Sequence, residues 1–181
     1  DTVAKNFGMA VDSGHPMGPL ELLDLIGLPV ALHVLTSLAV LGSRIESRDA
    51  LLRNFLPEKE PPITFWKSEK ENPQALDAVA NYRRANPSDA NPISDEILHQ
   101  RLFFPMVDEA VRCLHDKIVE QPWQVDFALT YGTGFPAFRG GLLTWARQTM
   151  AQGQVAQELE SLAGKYGKRF EPCPGLSQGG W

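Results

Sequence analysis

The sequence predicts an all-α fold built from two related helical repeats packed against each other. Three observations carry this. Apolar residues recur at i, i+3 and i+4 along most of the chain, and few stretches alternate with the period of a strand. Pro and Gly mostly fall where helices would open or stop, with Pro105 as the clear exception. The chain also repeats itself. "DTVAKNFG…HPMGPLELLDLIG" lines up with "DFALTYGTGFPAFRGGLLTWAR", each a helix stop, a loop, a helix opener and an apolar helix. Two such units can bury their apolar faces on each other.

The first repeat is expected over residues 1–56. "DTVAKNFG" reads as the last turns of a helix stopped by Gly8, so this repeat looks truncated at its N-terminus and the parent chain is expected to begin upstream. Pro19 opens the next helix, "LELLDLIG", which stops at Gly27. Over 29–45, Val30, Val34, Leu35, Leu38, Leu41 and Ile45 share overlapping faces, which predicts a buried helix holding His33 as a core or boundary residue. "SRDALLRNFL" follows, with Ser47 or Asp49 as its cap.

Residues 57–93 are rich in Pro and charge and read as a connecting segment outside the core. "QALDAVANYRRA" is expected as one exposed helix there, with Phe65 and Trp66 tacking the segment to the body. The second repeat is expected over 94–175. In "SDEILHQRLFFPMVDEAVRCLHDKI", Leu98, Leu102, Met106, Ala110 and Leu114 recur every four residues. Phe103, Val107, Val111 and Ile118 widen the stripe, and Pro105 predicts a kink. Three shorter helices follow: one from Pro122 to a stop at Gly132, then "RGGLLTWARQTM" and "QVAQELESLAGKYG". The tail, 176–181, is expected to be disordered.

Composition narrows the function classes. The 181 residues carry a net charge of -5 without a basic stripe, which disfavours nucleic-acid binding. Cys113 and Cys173 lie far apart and form no CxxC pair, which fits a reduced, intracellular setting. "LPVALHVLTSLAVLG" is too short and too polar to span a bilayer.

The chemical motifs are weak. "GTGFPA" matches a dinucleotide-loop pattern in form, but a helical pattern precedes it and Pro136 sits inside it, so it reads as a helix stop followed by a helix start. Asp12, Ser13 and His15 in "DSGH" read as a polar loop, because catalytic triads are joined by the fold and not by adjacency. His99 and His115 stand sixteen residues apart and are not expected to share a metal.

The stretches "GHPMGPLELLDLIGL", "QRLFFPMVDEAVRCL", "VDFALTYGTGFPAFRGGLL" and "YGKRFEPCPGL" resemble the C-terminal helical region of the 3-hydroxyacyl-CoA dehydrogenase family, in the multifunctional fatty-acid oxidation type. The resemblance runs from about residue 1 to about residue 175. It implies an NAD-dependent oxidoreductase of fatty-acid β-oxidation whose polypeptide also holds an enoyl-CoA hydratase domain, a Rossmann domain and two tandem helical repeats. It places NAD and the catalytic His–Glu pair on the Rossmann domain, and an active-site Asn in an N-R-x-x-x-P motif of the first repeat. The second repeat has Gln100-Arg101-Leu102-Phe103-Phe104-Pro105 at that motif, so Gln100 replaces the Asn. No catalytic residue, no metal and no cofactor are therefore expected on this chain. The turn Pro16, Met17, Gly18 and Pro19 is the expected contribution to the acyl-substrate cleft wall.

The partners implied are the Rossmann domain and the rest of the first repeat in cis, the acyl-CoA substrate, and a thiolase subunit as an open question. The compartment implied is the cytoplasm, if the source is bacterial. Two other readings stay open: a stand-alone helical interaction or oligomerisation module, and an enzyme with its own site at His15 or His99.

Overall fold

The computed structural model describes residues 1–11, 15–42, 50–56, 61–68, 70–87, 92–178 and 181. Its described elements are overwhelmingly helical, with two antiparallel ladders of two-residue strands as the only sheet among them. The all-α expectation holds. The chain forms two compact units, Asp1 with Pro19–Ile93 and Thr2–Gly18 with Ser94–Trp181. Residues 2–18 thus pack with the second repeat, although sequence places them in the first.

The first unit begins with α2 (Pro19–Ile26) and α3 (Leu28–Leu38), which meet at 102° across Gly27. Gly27 has φ 86, a conformation that favours a residue without Cβ. α4 (Ala50–Arg53), the β3–β4 ladder (Trp66–Lys67 with Lys70–Glu71) and α5 (Pro73–Ala85) complete it. Its core is small: Leu28, Phe55 and Ala75 are buried, with Leu23, Leu52, Ile63 and Phe65 among their partly buried neighbours.

Two expectations need correcting. Phe65 tacks the 57–93 segment to the body as expected, with its ring 4.6 Å from that of Phe55, but α5 is not wholly outside the core, because it buries Ala75 there. Asn72 fastens it further: its amide donates to the Thr64 carbonyl at 2.8 Å and its oxygen caps α5 through Gln74 N–H at 3.1 Å. Nor is α3 a buried helix. Only Leu28, Ala31 and Leu32 are buried, whereas His33, Val30, Val34 and Leu38 are exposed. No single described helix is long and apolar enough to cross a membrane. The expected caps Ser47 and Asp49 lie outside the described residues, as do Asp12 and Ser13.

The second unit is organised on α6 (Asp95–His115). Ser94 opens it by accepting Ile97 N–H at 3.3 Å. The helix continues through Pro105 and stops at His115, so Ile118 falls beyond it and is exposed rather than part of the buried stripe. The deepest row is Phe103, Val107 and Val111, with Ala110 beside it; Leu98, Leu102, Met106 and Leu114 are only half-buried. Around this row pack α1 (Thr2–Phe7), α7 (Pro122–Thr133), α8 (Leu142–Thr149), α9 (Gln154–Tyr166) and α10 (Pro174–Gln178). α7 stops at Gly134, in the left-handed region at φ 70, not at Gly132. Of the tail, α10 reaches Gln178 and buries Leu176, and Trp181 packs against the same core, whereas Gly179 and Gly180 lie outside the described residues.

Candidate functional site

Each copy of the repeated turn is closed by one carboxylate. In the second unit, the Asp126 carboxylate of α7 accepts Leu143 N–H at 2.7 Å, Thr144 N–H at 3.1 Å and the Thr144 hydroxyl at 2.7 Å. These are free donors of the first turn of α8, and a negative charge is favoured there. Gly141 lies directly beneath, at φ 108, and a Cβ on it would collide with the Asp126 side chain. The "RGG" of the motif is therefore a clearance for a buried carboxylate, not a phosphate cradle.

In the first unit, Asp1 does the same for α2. Its carboxylate accepts Leu20 N–H at 2.7 Å and the Trp66 indole N–H at 2.7 Å. The second acid of this unit, Asp24, accepts the N–H groups of Phe65 and Trp66 at 2.8 Å each.

The expected cleft-wall turn is placed as follows. His15–Pro16 forms β2 and pairs with β1 (Ala10–Val11), Val11 opposite His15 and Ala10 opposite Pro16. Met17 N–H donates to the Met9 carbonyl at 3.2 Å. Met17 is half-buried, Gly18 buried and Pro19 exposed at the start of α2.

His99 sits among rings. Its imidazole lies 4.8 Å from Phe103, 5.4 Å from Phe7 and 5.7 Å from Trp145, centroid to centroid. Burial, and then the Arg139 charge, hold it below the usual imidazole range. It lines a cavity of about 500 Å³ together with Phe7, Arg139 and Trp145, and with Asp95 and Glu96. Arg139 is committed to structure there: its Nε donates to the Phe7 carbonyl at 2.8 Å and its guanidinium lies 4.0 Å from the Phe7 ring centroid. The one hydroxyl of that lining, Thr149, donates to the Trp145 carbonyl at 2.7 Å. This is an aromatic nest without an activated nucleophile. His115 is exposed beside Asp116, and no group of three or more described His, Cys, Asp or Glu is placed to hold a metal ion.

Gln100 is buried, with 8% of its surface exposed, and its Oε1 has no hydrogen-bond donor. Its helix turns it inward on the side that also buries Phe103 and Phe104.

Two further groups carry structure that the sequence did not reveal. Asp108 accepts Cys173 N–H at 2.6 Å and Arg112 at 3.1 Å, which pins the "EPCPGL" segment to α6. Burial and the Asp108 charge push the Cys173 thiol up to about 11, so it is an inert core group. Asp126 was visible as the first residue of the second copy's aligned stretch. Its role was not, because its target lies 17 residues on.

Residues 8–62 match the family described as 3-hydroxyacyl-CoA dehydrogenase, C-terminal domain. The chain is 31% identical over 173 residues to a fatty acid oxidation complex subunit alpha of Vibrio campbellii, covering 93% of this chain and 24% of that protein. A subunit of the same name from Vibrio vulnificus is 31% identical over 170 residues, and one from Vibrio parahaemolyticus is 29% identical over 180. The chain spans about a quarter of the length of these curated relatives. Residues 8–62 are thus similar to the 3-hydroxyacyl-CoA dehydrogenase C-terminal domain, and the chain as a whole to about a quarter of fatty acid oxidation complex alpha subunits.

Proposed function

We propose that this chain is the C-terminal helical part of a longer, NAD-dependent 3-hydroxyacyl-CoA dehydrogenase of fatty-acid β-oxidation. The same polypeptide would carry an enoyl-CoA hydratase. The observation that supports this best is the repeated carboxylate-capped turn, Asp1 on Leu20 and Asp126 on Leu143, within a chain matched to that family. The sequence repeats at 1–56 and 94–175 are read as the tandem C-terminal copies, and 57–93 as the segment between them.

In this reading the chain does no chemistry by itself. Hydride transfer belongs to NAD, which a Rossmann domain in cis would hold. This chain's residues build the helical scaffold, and Pro16, Met17, Gly18 and Pro19 form part of the wall along the acyl chain. A thiolase subunit is the external partner, and the bacterial cytoplasm the compartment.

The test is NADH formation from 3-hydroxyacyl-CoA, followed by absorbance. The full-length protein should turn over and the 181-residue chain should not. Turnover by the short chain, or none by the full-length enzyme, overturns the proposal. Met17→Glu in the full-length enzyme tests the wall. It should raise KM for long acyl chains more than for short ones, because a charge there would oppose burial of the alkyl tail. Equal effects on both would remove Met17 from the site.

A further inference from the structure

The cavity beside His99 holds polar groups that the rest of the fold leaves unused. Arg139 is the first. Its Nε is fixed on the Phe7 carbonyl at 2.8 Å, and its guanidinium carbon lies 4.0 Å from the Phe7 ring centroid. These contacts set the orientation of the guanidinium and leave both Nη atoms open. Among the described residues none accepts from them, and no carboxylate pairs with Arg139. A half-buried cation without a counter-ion is a ready partner for an anion.

Two neutral donors stand with it. Trp145 is 4% exposed, and its indole N–H has no acceptor among the described residues. A buried indole N–H ordinarily finds a partner. This one is not sealed within the core, which leaves it open toward the cavity that Trp145 lines. His99 makes ring contacts, and neither of its nitrogens hydrogen-bonds to a described residue. Held below its usual range, its imidazole is neutral at physiological pH and has one N–H to give. The cavity they share, about 500 Å³, has the size of a small-molecule site.

A fixed guanidinium fork beside neutral N–H donors recognises a carboxylate. The other lining residues restrict what the carboxylate is attached to. Phe7, Trp145 and Met150 offer apolar walls, whereas Asp95 and Glu96 bring negative charge from the first turn of α6. A second anionic group on the ligand would meet those acids, which disfavours dicarboxylates and phosphate esters.

We propose that this cavity, between α1, the start of α6 and α8, binds a small monocarboxylate with an apolar body, its carboxylate on the Arg139 Nη atoms and the Trp145 N–H. Aromatic and aliphatic acids share this chemistry, and the test separates them. The site is made of residues of the second unit alone and stands whether or not the dehydrogenase reading does.

The experiment is calorimetric titration of the full-length protein with benzoate, hexanoate, glutarate and inorganic phosphate, with NAD and CoA present at saturation to fill the proposed catalytic cleft. One saturable site is expected for a monocarboxylate and none for glutarate or phosphate. Tighter binding of benzoate assigns an aromatic acid, and tighter binding of hexanoate a fatty acid. Arg139→Gln should weaken binding at least about tenfold. Because Arg139 also holds Phe7, two substitutions at exposed positions of the same lining test the site without disturbing the core. Asn6→Asp adds a negative charge and should weaken binding a few-fold, and Asp95→Asn removes one and should tighten it a few-fold, both at unchanged melting temperature. No saturable binding of either monocarboxylate, equal binding of phosphate or glutarate, or an affinity that neither charge substitution moves overturns the proposal. A full-length protein that binds the carboxylate but shows no dehydrogenase turnover sinks the reading of function and leaves this site standing.

Discussion

The two copies of the turn share a device and differ in what stands on it. Asp1 and Asp126 each accept a first-turn N–H of the following helix at 2.7 Å. Asp126 is buried and takes two further donors from Thr144, and the helix it starts buries Leu142, Leu143, Trp145 and Ala146. Asp1 is half-buried and takes one further donor, from Trp66, and the helix it starts buries no residue fully. On that helix Leu22, Leu25 and Ile26 are exposed. The cap is a local matter of one carboxylate and a few backbone donors. Burial is not local, because it needs a second apolar surface, and in the second copy α6 supplies part of it. A repeated motif thus secures the turn in both places, and the core in only one.

The largest effect that tests this contrast is Phe103→Ala. Phe103 is 2% exposed, stacked on Phe7 and close to His99 and Trp145. Its loss should cost about 3–5 kcal/mol by denaturant unfolding. The same truncation at Leu25, 68% exposed in the first copy, should change stability by less than about 0.5 kcal/mol. Similar costs at both sites would mean that the helix of the first copy is covered after all.

Next come the caps themselves. Asp126→Ala removes a helix cap and strands buried donors, and should cost about 2–4 kcal/mol. Asp1→Ala should cost about 1 kcal/mol, since its donors are nearer water. The ratio is the informative quantity, read as two urea midpoints on one chain. Equal losses would show that burial of the second cap adds nothing. Gly141→Ala should reproduce the Asp126→Ala loss, because it forces the carboxylate off its donors.

How much of this was legible follows the same division. Helix starts at Pro19, Ser94 and Pro122, and stops at Gly8 and Gly27, could be read from local chemistry. The stop of α7 was misplaced by two residues because "GTG" offers two glycines, and only Gly134 takes the left-handed conformation. Burial was read less well. The every-fourth row of α6 and the Phe103–Val107–Val111 row have similar periodicity, and only the placement of Phe7 and α8 makes the second row the deeper one. α3 looks buried by composition, yet Val30 and Val34 face out. The roles of Asp108 and Asp126 were illegible because their partners lie 65 and 17 residues away.

A smaller effect comes from His99. Its proton affinity is lowered in the folded state, first by burial and then by Arg139. The folded form therefore binds fewer protons than the unfolded one near pH 6. Stability should be at its full value above the unfolded histidine's 6.5 and fall as pH drops below it. His99→Leu should flatten that slope. An unchanged slope in the variant would assign the acid sensitivity to other groups.

The smallest effect is expected at Gln100, and its sign is the useful part. A buried Oε1 without a donor is a cost that the folded state carries and the unfolded state, in water, does not. Gln100→Met keeps the length of the side chain and removes that oxygen, so stability should stay the same or rise by up to about 1 kcal/mol. Gln100→Ala should instead lose stability, because it leaves a cavity beside Phe103 and Phe104. The full-length enzyme should keep its turnover with methionine at this position, if the second copy only mirrors the site of the first. Loss of turnover in a Gln100→Met enzyme of undiminished melting temperature would give the unpaired oxygen a ligand, and the second copy a part in the chemistry.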